Sequence, residues 1–104
     1  MKRCAFKMKL IKGFEEEYKK RHDEIYPELI KALEEAGVMD YSIYLDEETG
    51  TLFAFQMVKD HNTTGDLPKT DIVKKWWAMM ADIMETNPDH SPISIDLIEV
   101  FHMD

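Results

Sequence analysis

The sequence predicts an α+β fold in a single domain that spans residues 1–104. Two observations predict this class. Apolar residues alternate with a period of two in four stretches, and between them they recur at helical spacing, so strands and helices are interleaved along the chain. A chain of 104 residues, 44% hydrophobic and 33% charged, also has the length and composition of one globular core and no room for a second.

The first strand is predicted at residues 3 to 10, where apolar and mostly basic positions alternate. One face of this strand would carry Cys4, Phe6, Met8 and Leu10. The other face would carry Arg3, Ala5, Lys7 and Lys9. A two-residue period with one apolar face is typical of a strand that packs on a core from one side.

A helix is predicted to follow from about Phe14, because Phe14, Tyr18 and His22 recur every four residues. Pro27 interrupts this pattern, so the helix kinks there or a second segment begins at Glu28. The second segment carries an apolar stripe made of Leu29, Ala32, Leu33 and Ala36. Gly37 is predicted to end it in the left-handed conformation that glycine adopts freely.

Two further strands are predicted at residues 38–46 and 52–59, joined by a turn at residues 47–50. Gly50 can supply the positive φ that such a hairpin loop needs. The first of these strands would align Tyr41, Ile43 and Leu45 on one face. The second would align Phe53, Phe55 and Met57.

The last third of the chain predicts a loop, a helix, a second loop and a strand. Residues 61–69 are rich in Asn, Thr, Gly and Pro and predict a connecting loop, and Thr70 is a candidate helix N-cap. The helix would carry Ile72, Trp76, Met80 and Ile83 along one side. Residues 87–92 predict another loop, and a final strand is expected from about residue 94 to residue 103.

The resulting order, β-α-β-β-α-β, is the ferredoxin-like arrangement of four antiparallel strands with helices on one face. Its other sheet face would lie bare, yet these strands carry Met, Phe and Tyr residues on both faces. The simplest way to cover this face is to pack it against the same sheet of a second copy. We therefore expect a homodimer, that is, a dimeric α+β barrel.

Charge, cysteine content and hydropathy limit the classes of partner that the protein can bind and the cellular compartment in which it is expected. The formal net charge of −8 argues against a nucleic-acid partner, because phosphates need clustered Lys and Arg. The longest apolar run, residues 76–81, is far below the ~20 residues that span a bilayer, so no membrane partner is expected. The single Cys4 cannot form an internal disulfide, which fits a reducing, cytoplasmic location.

Few residues are candidates for chemistry. Tyr18 and His22 lie one helical turn apart, so both can reach one point, and an imidazole exchanges protons near neutral pH. A Tyr–His pair that simply covers the sheet remains an open alternative. The four histidines have no metal-ligand spacing, and no metal is expected.

The pair Trp76-Trp77 is the second candidate. Adjacent helical residues point about 100° apart, so both cannot be central core residues. We expect Trp76 to be the more core-facing one, since Ile72 and Met80 flank it at helical spacing. The other ring is then free to line a cavity or an interface, where a flat aromatic surface suits the apolar face of a pyranose. Tyr41, with Phe53 and Phe55, is expected to add aromatic lining from the sheet, or else to fill the core.

Taken together, several motifs resemble the L-rhamnose mutarotase family. They are the Tyr-x-x-x-His of Tyr18 and His22 followed by Tyr26-Pro27-Glu28-Leu29, the strand Asp40-Tyr41-Ser42-Ile43-Tyr44-Leu45-Asp46, Trp76-Trp77, Asn87-Pro88-Asp89-His90-Ser91-Pro92, and Glu99-Val100-Phe101. Each motif alone is weak. The likeness covers nearly the whole chain, with the motifs in the same order, and the combination is specific.

This resemblance implies an isomerase that interconverts the α and β anomers of a small neutral sugar, L-rhamnose or a related 6-deoxy-hexose, without cofactor or metal. It implies that His22 is the acid/base residue and that Tyr18, Tyr41, Trp76 and Trp77 bind the sugar. It also implies a ferredoxin-like homodimer in the cytoplasm.

Two features leave the function open. Residues 61–68 depart from the more helical, aromatic-containing segment that family members usually have, which bears on sugar preference if this segment borders the pocket. Because fold does not fix function, a cofactor-free monooxygenase-like enzyme on the same barrel and a non-catalytic sugar-binding module remain alternatives.

Overall fold

A computed structural model describes all 104 residues. Its elements, in chain order, are β1 (Lys2–Lys9), α1 (Glu15–Asp23), α2 (Pro27–Ala36), β2 (Val38–Asp46), β3 (Thr51–Val58), α3 (Asp71–Met80) and β4 (Ile95–Asp96). Short 3-10 helices at Thr64–Lys69 and Ala81–Ile83 flank α3. The strands form one sheet in the order β2-β3-β1-β4, with every neighbouring pair antiparallel. The predicted α+β, ferredoxin-like class is confirmed.

The predicted break at Pro27 separates two helices. Pro27 occupies the first turn of α2, where its missing N–H costs no hydrogen bond and its fixed φ suits the helix. Gly37 ends α2 at φ 102°, the left-handed cap expected from the sequence. Thr70 is the N-cap of α3, although its hydroxyl donates to the carbonyl of Leu67 rather than capping the helix.

The hairpin turn also has the expected glycine geometry. Gly50 has φ 75° and lies against β1, where its carbonyl accepts a hydrogen bond from the Leu10 N–H at 2.8 Å. A Cβ at this position would lie 2.9 Å from the carbonyl oxygen of Leu10. A larger residue would therefore force the turn away from the sheet as well as strain the backbone.

The two faces of the sheet have different environments. The inner face packs against the helices and carries Met8, Leu52 and Ala54, which belong to a single cluster of buried residues. The core also takes Val73, Trp76 and Met80 from α3. The outer face, which no helix covers, carries Tyr44, Phe53, Phe55, Met57 and Ile95 together with the basic residues Arg3, Lys7 and Lys9 of β1.

The last predicted strand is much shorter than the alternation suggested. Only Ile95–Asp96 pairs with β1, and one further hydrogen bond joins the Leu97 N–H to the carbonyl of Ala5. The apolar residues beyond it are exposed, at 87% for Ile98, 92% for Val100 and 79% for Phe101. The prediction of a strand to residue 103 was wrong because a strand needs a neighbour, and this segment finds none within its own chain.

The segment 61–69 was expected to be a loop without regular structure, and it instead contains the 3-10 helix Thr64–Lys69. Asn62 organises its start: the side-chain amide donates to the Lys59 carbonyl, and the side-chain oxygen accepts from the N–H and hydroxyl of Thr64. This local bonding, typical of Asn in turns, replaces the longer-range ladder that a strand or α-helix would provide.

Candidate active site

Helix α1 brings Tyr18 and His22 together, as their four-residue spacing predicted. Their ring centroids lie 4.3 Å apart with the planes inclined by 31°. Three acidic residues occupy the first turn of α1, and the cations Lys20 and Arg21 occupy the last, both favourable to the helix dipole. Tyr18 is the one buried residue of this helix, and His22 is half-buried beside it.

The imidazole of His22 is held in one tautomer. Its Nδ1 lies 3.0 Å from the backbone carbonyl oxygen of Tyr18, an acceptor, so Nδ1 carries the proton and donates it. Nε2 then has its lone pair free. Burial lowers the pKa of His22, and the carbonyl and Asp23 offset this only in part. A neutral imidazole with a free Nε2 is a proton acceptor at neutral pH.

Trp76 is the buried member of the tryptophan pair, in agreement with the helical spacing. It meets His22 edge-on, with centroids 5.2 Å apart and an interplanar angle of 88°. It also meets Tyr26 edge-on at 5.3 Å. Trp77 is only partly buried, packing against the core from its margin. The two adjacent rings therefore have different roles in packing.

Tyr41 lies on the inner face of β2, together with Ile43 and Leu45, as strand alternation predicts. The register against β3 shifts between Met39 and Ser42, and Asp40 within this bulge has φ 50°. Asp40 and Tyr41 together lie opposite Gln56 of β3, so the bulge changes the face of Met39 and leaves that of Tyr41 as alternation sets it. Tyr41 packs edge-on against Phe6, with ring centroids 6.4 Å apart.

Burial around its hydroxyl raises the pKa of Tyr41 to about 12. The pKa of Tyr18 is also raised, mainly by burial and further by the proximity of Tyr41. Both phenols therefore remain protonated at neutral pH and can donate hydrogen bonds. Neither can serve as an anionic base there.

A cavity of about 1050 Å³ lies between the helices and the inner face of the sheet. The five site residues expected from the sequence all line it, namely Tyr18, His22, Tyr41, Trp76 and Trp77. Apolar side chains make up much of the remaining wall, and the polar ones come chiefly from the start of α1, from Gln56 of β3 and from residues 86–94. A mostly apolar cleft with a few convergent polar groups is the usual form of a small-molecule site.

Phe53 and Phe55 do not join this aromatic lining. They pair with Tyr44 and Ser42 across the β2–β3 ladder, which sets them on the outer face, away from Tyr41. Phe55 instead contacts Tyr44 edge-on, with centroids 5.8 Å apart. The expectation that they line one surface with Tyr41 was wrong, because the pairing register places Phe53 and Phe55 opposite Tyr44 and Ser42, on the other face of the sheet from Tyr41.

Sequence reasoning missed one aromatic residue of the cavity wall and a second that packs on Trp76. Phe6 was assigned only to the core, yet it lines the cavity and supports Tyr41. Tyr26 was quoted only as part of a motif, yet it packs on Trp76, and the Lys75 ammonium lies 4.9 Å from its ring centroid. Tyr26 continues the four-residue spacing of Phe14, Tyr18 and His22, so that spacing was a signal for it, although it lies between α1 and α2.

The divergent segment does border the cavity. Thr64, Leu67 and Pro68, all from the 3-10 helix Thr64–Lys69, contribute to its wall. No three His, Cys, Asp or Glu side chains are grouped so as to hold a metal ion. No helix of the structure is long and apolar enough to cross a membrane.

Comparison with known proteins gives consistent matches over the full chain. The family model described as L-rhamnose mutarotase matches residues 3–103. The L-rhamnose mutarotase of Formosa agariphila is 59% identical over 104 residues, and that of Bacteroides thetaiotaomicron is 61% identical, each covering 100% of both chains. A crystal structure of the Formosa agariphila L-rhamnose mutarotase superposes with a TM-score of 0.93 at 58% identity, again covering 100% of both chains.

Proposed function

The chain belongs to the L-rhamnose mutarotase family, and on that premise we propose that it interconverts the α and β anomers of L-rhamnopyranose with His22 as the acid/base residue. It is then an isomerase acting on a carbohydrate. The geometry of the imidazole supports this assignment to His22. Its Nδ1–H donates to the Tyr18 carbonyl, which leaves Nε2 free, and the ring lies in the wall of an aromatic cavity.

The reaction opens and recloses the sugar ring. Nε2 of neutral His22 takes the proton of the C1 hydroxyl, the C1–O5 bond breaks, and the ring oxygen receives a proton. The free aldehyde rotates about C1–C2, and O5 then attacks the other face of C1 while the protons return. One imidazole can serve both oxygens, directly or through a water molecule, since protons are only exchanged and no electrons are transferred.

The tyrosines and tryptophans hold the sugar in this scheme. Because the phenols of Tyr18 and Tyr41 stay protonated, they are suited to donate hydrogen bonds to sugar hydroxyls. The ring of Trp77, partly exposed at the margin of the core, offers an apolar surface to the pyranose face and its C6 methyl group. Trp76 holds His22 edge-on and so fixes the direction of the imidazole.

Exchange spectroscopy of L-rhamnose tests the activity. Saturating one anomeric proton by NMR should transfer magnetisation to the other faster when protein is present, in a buffer that is itself a poor mutarotation catalyst. Sugar resonances that shift or broaden on binding while exchange stays at the uncatalysed rate would indicate a non-catalytic binding module. Oxygen consumption with an aromatic substrate and no anomer exchange would indicate a monooxygenase-like enzyme.

The catalytic rate should fall at acidic pH, because His22 must be neutral to accept a proton. Because burial lowers its pKa below the ordinary 6.5, the imidazole stays neutral to lower pH than a free histidine. The expected kcat/KM is therefore flat through pH 7 and falls as the pH drops through a midpoint below 6.5. Anomer exchange measured across this range and corrected for the uncatalysed rate gives the midpoint.

Circular dichroism over the same range is the control. The unfolded chain binds the His22 proton at its higher, ordinary pKa, so stability is also lost as the pH falls below 6.5. Only the range in which the protein stays folded reports on catalysis. A midpoint at or above 6.5 in that range would contradict the role given to His22.

We also propose that the enzyme is a homodimer joined through the outer face of the sheet. That face leaves Phe55 and Tyr44 exposed at 45% and 64%, and the apolar segment after Leu97 lies beside it without a partner. Apolar surface of this extent on a 104-residue chain favours association. A two-fold axis would bring both features of each subunit against the same features of the other.

Sedimentation equilibrium at micromolar concentration should give about twice the chain mass of 12.2 kDa. Phe55→Asp places a carboxylate in the centre of the outer face and should shift the protein toward monomer. Lys31→Asp places one on an exposed position of α2, across the sheet, and should leave the dimer unchanged. A fully active wild-type species of 12.2 kDa under these conditions would contradict the proposal.

The free thiol of Cys4 supports a location in the cytoplasm. It is the chain's one cysteine, so no internal disulfide can form, and unpaired thiols persist in reducing compartments. Within our proposal, the enzyme therefore meets its sugar after uptake into the cell.

A further inference from the structure

Helix α1 carries both the acid/base residue and a tyrosine of the proposed site, yet it has little apolar surface with which to dock. Tyr18 is its one buried residue. By contrast, α3 buries Val73, Trp76 and Met80. A helix that is polar nearly all round needs specific polar contacts to keep one orientation against its neighbours.

Arg21 supplies such contacts. Its Nε donates to Glu17 Oε2 at 2.7 Å, within α1. Its Nη1 donates to the Met79 carbonyl oxygen and to Asp82 Oδ1, both at 2.8 Å, and Nη2 donates to Asp82 Oδ2 at 3.3 Å. One guanidinium thus joins α1 to the C-terminal end of α3 and to the 3-10 helix that follows it.

The same end of α3 holds the tryptophan that faces the imidazole. His22 follows Arg21 directly in α1, and Trp76 precedes Met79 by three residues in α3, with the two rings 5.2 Å apart edge-on. We propose that Arg21 is a positioning residue for His22: it fastens α1 to the end of α3 and so holds the imidazole in its orientation against Trp76. This inference rests on the proposed mutarotase function for its kinetic consequence only.

The geometry of the Arg21 contacts separates them from an ordinary surface ion pair. An isolated exposed pair contributes little, as expected for Lys19 and Asp23, whose side chains are 79% and 62% exposed within one helix. The Arg21 side chain is only 19% exposed, and its planar fork bonds three residues, Glu17, Met79 and Asp82, from three elements at once. Hydrogen bonding from Arg21 also lowers the pKa of Asp82, which keeps that carboxylate ionised.

Arginine and lysine should behave differently at this position. A lysine ammonium is a single point of charge and cannot bond Glu17, Met79 and Asp82 in the same plane. Small displacements of an acid/base group cost rate, up to roughly 100-fold per ångström. We therefore expect kcat to fall about 10- to 100-fold in Arg21→Met, with KM changed less than about 3-fold, and to recover only partly in Arg21→Lys.

Lys20→Met is the matched control, since Lys20 is exposed on the same helix and its removal deletes the same charge. It should keep wild-type kcat. A structural readout separate from activity is the nuclear Overhauser effect between the ring protons of His22 and Trp76. This contact should weaken in Arg21→Met and persist in Lys20→Met. Should the wild type prove inactive on L-rhamnose, the proposed function fails, and the ring contact still tests the positioning role.

Asp82→Asn completes a double-mutant cycle. If Arg21 acts through Asp82, the second substitution should add little to the loss already present in Arg21→Met. Additive losses would contradict a shared role. A folded Arg21→Met with wild-type kcat and an intact contact between the two rings would overturn the proposal, and if that variant does not fold, Arg21→Lys and Asp82→Asn apply the same two measurements.

Discussion

Replacing His22 with alanine should lower the rate of L-rhamnose anomer exchange by about 10²–10⁴-fold, the range that positioned acid/base catalysis usually contributes. The imidazole has the one free, neutral nitrogen near the site tyrosines, whose raised pKa values keep them from acting as bases. The exchange rate from NMR saturation transfer gives the loss directly. The aromatic cavity would still bind the sugar, so KM should change much less than kcat.

His22→Asn separates proton transfer from packing. An asparagine side chain can keep an N–H donor directed toward the Tyr18 carbonyl, which Nδ1 contacts at 3.0 Å, yet it cannot take up a proton near neutral pH. Both variants should stay folded, because His22 is only half-buried, and both should lose activity. A folded His22→Ala that exchanges anomers at the wild-type rate would remove His22 from the mechanism.

Trp76→Ala should cost about 3–5 kcal/mol of unfolding free energy, the usual range for a buried tryptophan. Its ring fills the space between α1, the α1–α2 connection and the sheet, and its loss would leave His22 and Tyr26 without their edge-on partner. Trp77→Ala should cost less, about 1 kcal/mol, because that ring is partly exposed. Chemical denaturation of both variants at one fixed protein concentration gives the comparison.

For the KM of the sugar the order should be reversed, with the larger change in Trp77→Ala. Trp77→Ala should raise KM for the sugar while the protein stays folded, since its ring faces the cavity from the margin of the core. Trp77→Phe keeps an aromatic surface and should recover most of the binding. A clearly larger loss of stability at Trp77 than at Trp76 would reverse the assignment of the core-facing ring.

Local periodicity determined most of the fold and part of the site. The strand at residues 3 to 10, the hairpin around Gly50 and the left-handed end of α2 at Gly37 follow from side-chain spacing and from the conformational freedom of glycine, which act over a few residues. The one-turn spacing of Tyr18 and His22 similarly placed both rings at one point of α1.

Local periodicity could not predict features that depend on residues far apart in the chain. The register of β2 against β3 decides that Phe53 and Phe55 lie on the opposite face of the sheet from Tyr41, and this register exists only when the two strands pair. No local pattern singles out Arg21, because its acceptors on Met79 and Asp82 lie about sixty residues away in the chain.

The C-terminal segment shows most clearly which features the local sequence determines and which depend on the tertiary structure. Alternation from residue 94 onward determined that the chain there is suited to extended structure, because side-chain period is a local property. Whether such a segment becomes a strand depends on backbone groups supplied by a neighbour, and beyond Leu97 this chain supplies none. The sequence alone thus determined the α+β class, the order of elements and the candidate proton-transfer residue, whereas the tertiary structure decided which faces, partners and edges those residues meet.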